Sequence, residues 1–149
     1  MTFTDPNWGA GRIAWRFARS GADGEATRRF GHFPPEVQEN LRVGAHLREA
    51  EAPAVGTHRG EDRWSLVTSD RIVSFSQGKV WEAPLADVVD ATVLTANLVA
   101  ARRKDAVEEV TVVLTDARQL PLDVESGTPL SGVWNALKIG AGWNRHPPR

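Results

Sequence analysis

A mostly β domain of about seven short antiparallel strands, closed by one C-terminal α-helix, is what the sequence predicts. Three observations carry that expectation. Short apolar runs follow one another between turn residues from position 47 to 123, with a Gln77-Gly78-Lys79 turn between two of them. The run 109–115, Glu-Val-Thr-Val-Val-Leu-Thr, is dense in β-branched residues, which fit a pleated and half-buried surface. Leu130, Val133, Trp134 and Leu137 then keep the i, i+3, i+4, i+7 spacing of one buried helix face.

Element by element, residues 1–45 read as an arm ahead of the main domain. Its leader, 1–33, is rich in Gly and Arg and holds Trp8, Trp15, Phe17, Phe30 and Phe33. Ile13, Trp15 and Phe17 alternate with Ala14, Arg16 and Ala18, the period of a half-buried strand; a short helix fits nearly as well. Gly21 and Gly24 break either one. The aromatic residues are expected to pin the arm onto the domain, because a free tail has few of them. Pro34 and Pro35 open a helix whose Val37 and Leu41 share a face and which Gly44 ends.

The main domain, 46–140, starts with a first strand at 47–52, followed by a polar loop at 53–63 that contains Gly56 and Gly60. Strands follow at 64–68, 71–76 and 80–83, with Pro84 stopping the last. A one-turn crossing segment at 85–89 leads to a fifth strand at 91–98 and a charged loop at 101–105. After the strong strand 109–115 comes a short edge strand at 119–123, where Pro121 argues against a central position. Thr128 is placed as helix N-cap with Pro129 in the first turn and Gly140 as the terminating glycine. Residues 141–149 have the composition of an exposed tail.

Composition narrows the function classes. The 149 residues carry 18 basic and 19 acidic side chains, so no global field draws the chain to nucleic acid or anionic lipid. There is no cysteine, which removes disulfide and thiolate chemistry and agrees with a reducing compartment. No window reaches the length and apolarity of a membrane span, and the first residues lack the pattern of a secretory signal. A cytoplasmic location is the expectation.

Residues 64–75 (Trp-Ser-Leu-Val-Thr-Ser-Asp-Arg-Ile-Val-Ser-Phe), 78–89 (Gly-Lys-Val-Trp-Glu-Ala-Pro-Leu-Ala-Asp-Val-Val) and 109–114 resemble a bacterial PH-like domain of the group that includes GRAM-type domains. In that group a strand ends in Thr-x-Asp-Arg, the next turns at a glycine, and a Pro-Leu-x-Asp-Val/Ile segment crosses over. The resemblance covers about 46–140 and implies a split barrel of about seven strands closed by the C-terminal helix. Phosphoinositide-binding members carry a Lys and a spaced Arg-x-Arg around the first two strands. Here that region reads His-Arg-Gly-Glu-Asp-Arg at 58–63, so lipid binding is not carried over.

Candidate chemistry is sparse. His32, His46, His58 and His146 have no metal-ligand spacing, and no metal or cofactor is expected. Asp87 and Asp90 could share a helical face, whereas Glu108 and Glu109 in a strand would point oppositely. No nucleophile elbow or phosphate loop occurs, so no catalytic residue is assigned. Arg102, Arg103 and Lys104 form the one run of three cations and are the candidate ligand-binding residues, a reader of anionic groups; Asp105, Glu108 and Glu109 stand close enough to neutralise them. In the leader, Arg12, Arg16 and Arg19 with Trp15 and Phe17 could form an interfacial membrane segment; packing of the aromatics on the barrel is the favoured account. The function expected is a non-catalytic interaction module that takes a protein or peptide, with peripheral lipid binding through 102–104 or the leader as the alternative and no nucleic acid.

Overall fold

The computed structural model describes residues 6–21, 23–93 and 108–145. Its elements are α1 (Pro6–Ser20), β1 (Thr27–Arg29), a 3-10 turn (Phe30–His32), α2 (Pro35–Ala45), β2 (Pro53–Gly60), β3 (Arg63–Thr68), β4 (Arg71–Ser76), β5 (Lys79–Pro84), a second 3-10 turn (Leu85–Asp87), β6 (Val88–Thr92), β7 (Glu109–Leu114), β8 (Gln119–Asp123) and α3 (Thr128–Arg145). Strands β1 to β5 form one antiparallel sheet in sequence order, and β6 to β8 form a second. Of the expected split barrel of about seven strands, the described residues show two antiparallel sheets of five and three strands with a C-terminal helix, and no closed barrel.

Alternation along the strands sorts two cores. Val55, Val67 and Ile72 face the second sheet and meet Val110, Val112, Leu114, Leu122 and Leu130. Their neighbours Trp64, Leu66 and Val73 face the other way, onto Leu41 and Ala45 of α2 and onto Phe30 and Phe33. At β3 both faces of the larger sheet are covered, and this is why every residue of the strand after Arg63 is buried.

Four expectations change. The leader is a helix, not a strand, because its buried residues are Ala10, the partly buried Ile13 and Phe17, spaced at helical intervals. The segment 47–52 is not a strand; β2 forms instead where a polar loop was expected. Pro53 stands at its first position, where a missing N–H is tolerated. Gly56 lies where a Cβ would sit 3.2 Å from the Ser65 carbonyl and 3.4 Å from Leu41, so the glycine marks a close approach rather than a break. Gly44 does not end α2 either: its missing Cβ makes room for the Trp64 ring at 2.6 Å, and His46, at φ 51°, takes the left-handed cap. The last helix runs past Gly140, which faces open space, to Arg145, and buries Ala141 on the way; residues 141–145 are helix, not tail.

Two contacts fix the N-terminal segment to the rest, and a third cluster braces it internally. Phe17 is fully buried, and a Cβ on Gly132 of α3 would stand 2.7 Å from its ring, so α1 and α3 cross closely at this point. The Glu125 carboxylate accepts the backbone N–H groups of Glu25 (3.1 Å), Ala26 (2.8 Å) and Thr27 (3.0 Å). Burial would raise the Glu125 pKa, but these three donors outweigh it and hold the group below its ordinary value. Asp23 accepts from the Arg29 amide at 2.9 Å and pairs with the Arg29 guanidinium at 3.1 Å and with His32.

Burial alone would raise the Asp23 pKa; the Arg29 and His32 bonds win and lower it from 3.8 to about 2. A carboxylate with a depressed folded-state pKa stabilises the fold above its unfolded value and loses that contribution as pH falls through the folded value. Acid titration is expected to remove about 2 kcal/mol between pH 3.8 and about 2 through this group. Chemical denaturation across that window should show a flatter profile for Asp23→Asn than for the parent; parallel profiles would remove Asp23 from the account.

Candidate functional site

A sheet edge left without a partner strand displays backbone donors and acceptors to any extended chain. The two sheets offer four edges among the described residues. That of β1 is three residues long. On β6, the Ala91 carbonyl is taken by the Trp134 indole N–H at 2.7 Å. On β8, Pro121 has no donor, and its carbonyl accepts the Trp81 indole N–H at 3.1 Å. Among the described residues the edge of β5 carries no such indole contact, and its one proline, Pro84, stands at its last position.

The register of the β4–β5 hairpin defines which groups of β5 face outward. Gln77 (φ 51°) and Gly78 (φ 80°) form a two-residue turn, and Ser76 pairs with Lys79. The closing pair exchanges hydrogen bonds, and so does Ser74 with Trp81 two residues on. The N–H and C=O of Val80 and Glu82 therefore point away from β4. Val80 is 63% exposed, although it is an aliphatic residue in a strand.

A cavity lies on each face of this edge. On the inner face, a cleft of about 600 Å³ opens between the β4–β5 hairpin and the second sheet, lined by Ser74, Ser76, Gln77, Lys79, Trp81, Arg63, Glu108, Glu109, Pro121 and Asp123. That volume falls in the range of ligand sites, about 300–1,000 Å³. Trp81 is partly buried and spans from β5 to β8. Arg59 (2.9 Å) and Arg63 (2.9 Å) both bind Asp123, and Arg59 also reaches Glu108 at 3.5 Å, so the far wall is held rigid. On the outer face, a cavity of about 320 Å³ lies between β5 and the end of α2, lined by Gly44, Ala45, His46, Arg48, Arg71, Val73, Val80 and Glu82.

The floor of the outer cavity is a buried ion pair. Arg71 donates to both Glu51 oxygens, from Nε at 2.8 Å and from Nη2 at 3.0 Å, and to Glu82 at 2.6 Å. Its Nη2 also reaches the Ala45 carbonyl at 2.7 Å, which satisfies the end of α2. Thr68 donates its hydroxyl to Glu51 at 2.6 Å and accepts the amides of Asp70 (3.1 Å) and Arg71 (3.0 Å). The Glu51 bonds push the Arg71 pKa up. Burial would raise that of Glu51, but Arg71 and Thr68 keep it below its ordinary range. The pairing thus favours the charged form of both groups.

The candidate residues fall in different places. Arg102, Arg103 and Lys104 lie outside the described residues. Asp87 sits in the 3-10 turn and Asp90 in β6, so they share no helix face; the Asp90 carboxylate accepts the Ala91 amide at 2.8 Å. Glu108 and Glu109 both line the inner cleft, because Glu108 precedes β7 and does not follow strand alternation. His58 pairs with Asn40 at 3.0 Å, and burial lowers its pKa. Among the described residues no group of three or more His, Asp or Glu could hold a metal ion, and no helix is long and apolar enough to cross a membrane. The sequence reading did not single out Val80, Trp81 or Glu82. The two-residue turn together with an apolar Val80 beside Trp81 is the available signal, and the lack of a partner strand on that side among the described residues is non-local. No protein-family model, curated protein or solved structure matches the chain.

Proposed function

We propose that the chain is a PH-like, non-catalytic interaction module that binds an extended peptide of a protein partner as an added strand on β5. The PH-like reading is supported by the consecutive antiparallel strands β2 to β5, the second set β6 to β8 and the C-terminal helix. The observation that carries the binding reading is the edge at Val80 and Glu82, which no strand among the described residues covers, flanked by one cavity on each face. An added strand takes its main-chain hydrogen bonds from those two residues. Its side chains alternate, so successive ones enter the cleft beside Trp81 and the cavity beside Arg48. Main-chain pairing supplies affinity and the two cavities supply selectivity.

The test is selection of peptides from a random library, followed by binding to Val80→Pro. Proline at this position removes an outward N–H and none of the ladder with β4, so the fold is expected to survive. Selected peptides should shift the amide resonances of residues 79–84 in the parent and lose at least about tenfold in affinity for Val80→Pro, roughly one lost main-chain bond with its desolvated partner. Peptides that bind Val80→Pro as well as the parent, or that shift resonances only elsewhere, would contradict the reading.

A further inference from the structure

The exposed side of α1 is a second surface, independent of the β5 edge. One side of the helix buries Ala10 and Phe17 against α3 and the core. At 100° per residue, Arg12, Trp15, Arg16 and Arg19 fall together on the opposite side. Trp15 is 57% exposed, and the Arg19 guanidinium lies 5.1 Å over its ring. The sequence reading placed the leader aromatics on the barrel. Phe17, Phe30 and Phe33 obey it, and Trp15 does not.

The charge on this helix has one sign. No acidic residue occurs from Pro6 to Ser20. Burial and the neighbouring Arg12 charge both lower the Arg16 pKa, as expected where cations crowd on one helix. An indole rests well between apolar and polar layers, and a guanidinium at its level can hold a phosphate oxygen. A convex helix face with one aromatic residue among arginines offers no concave pocket for a particular side chain. It suits a flat, fluid, anionic surface.

We propose that this face of α1 docks the protein peripherally on anionic membrane, with Trp15 at the headgroup level and the exposed Arg19 beside it on a lipid phosphate. The attraction is electrostatic and falls with ionic strength. It uses neither the β5 edge nor a phosphoinositide pocket.

Co-sedimentation of the full chain with two kinds of vesicle tests this, phosphatidylcholine alone and equal parts of phosphatidylcholine and phosphatidylglycerol. The parent should sediment with the anionic vesicles at low salt, stay in solution with the neutral ones, and be released as salt rises. Trp15→Ala and Arg19→Glu, at exposed positions, should keep the parent's circular dichroism and melting temperature and lose at least about tenfold in vesicle affinity. Val80→Pro should sediment like the parent, which separates this surface from the peptide site. A parent that ignores anionic vesicles, or variants that sediment as well as the parent, would overturn the proposal. So would tighter binding to an acidic polypeptide or to single-stranded DNA than to the anionic vesicles.

Discussion

Replacing Arg71 with methionine is expected to destabilise the protein by about 3–5 kcal/mol, the cost of leaving a buried charge without its partner. Arg71 is 7% exposed and Glu51 6% exposed, so neither can turn to water without unpacking its surroundings. The change also frees the Ala45 and His46 carbonyls at the end of α2. The Glu51→Gln, Arg71→Met double variant should be more stable than Arg71→Met alone, since no unpaired carboxylate is then left inside. Thermal and urea unfolding of the three proteins gives the comparison. A loss under about 1 kcal/mol for Arg71→Met would mean that the pair behaves like an exposed one.

Phe17→Ala is expected to cost about 3–5 kcal/mol, as for other buried aromatic truncations. The ring has no exposed surface and sits against Gly132, so its removal leaves a cavity at the α1–α3 crossing. A Cβ on Gly132 would also stand 2.7 Å from the Phe17 backbone carbonyl, so Gly132→Val is expected to be destabilising with or without the ring. Limited proteolysis supplies the second readout. The parent should resist cleavage at Arg12, Arg16 and Arg19, and Phe17→Ala should be cut there. Equal cutting of both proteins, with near-parent stability for Phe17→Ala, would show that α1 is not held by this contact.

These two sites show where the sequence was legible. The hairpin 71–84, the strong strand β7, the edge strand β8 and the start of α3 all follow from local signals: alternation, β-branching, turn residues and proline placement. The Thr68 and Arg71 positions stood out only as part of a family-like motif. Their physical role needs Glu51, which is 20 residues from Arg71 in the chain and in a segment read as strand. Strand β2 is hidden by Pro53, Gly56 and Gly60, which locally signal a loop; Gly56 is explained by the Ser65 carbonyl, Leu41 and Leu66 close around it. In the leader, Ile13 and Phe17 fit a two-residue and a helical period equally, and the packing on α3 chooses between them. Of the candidate site, the sequence offered a module that takes a protein or peptide but not which sheet edge would take it. That depends on Pro121, Trp134 and Trp81 closing the other two long ones.

Amide hydrogen exchange at Val80 and Glu82, read by NMR with and without a library-selected peptide, tests the open β5 edge most directly. In the free protein these two amides should exchange much faster than those of Trp81 and Ala83, which bond to β4. Peptide binding should slow Val80 and Glu82 selectively and leave the β1 edge unchanged. Slow exchange at both amides in the free protein, or no slowing with peptide bound, would contradict strand addition at β5.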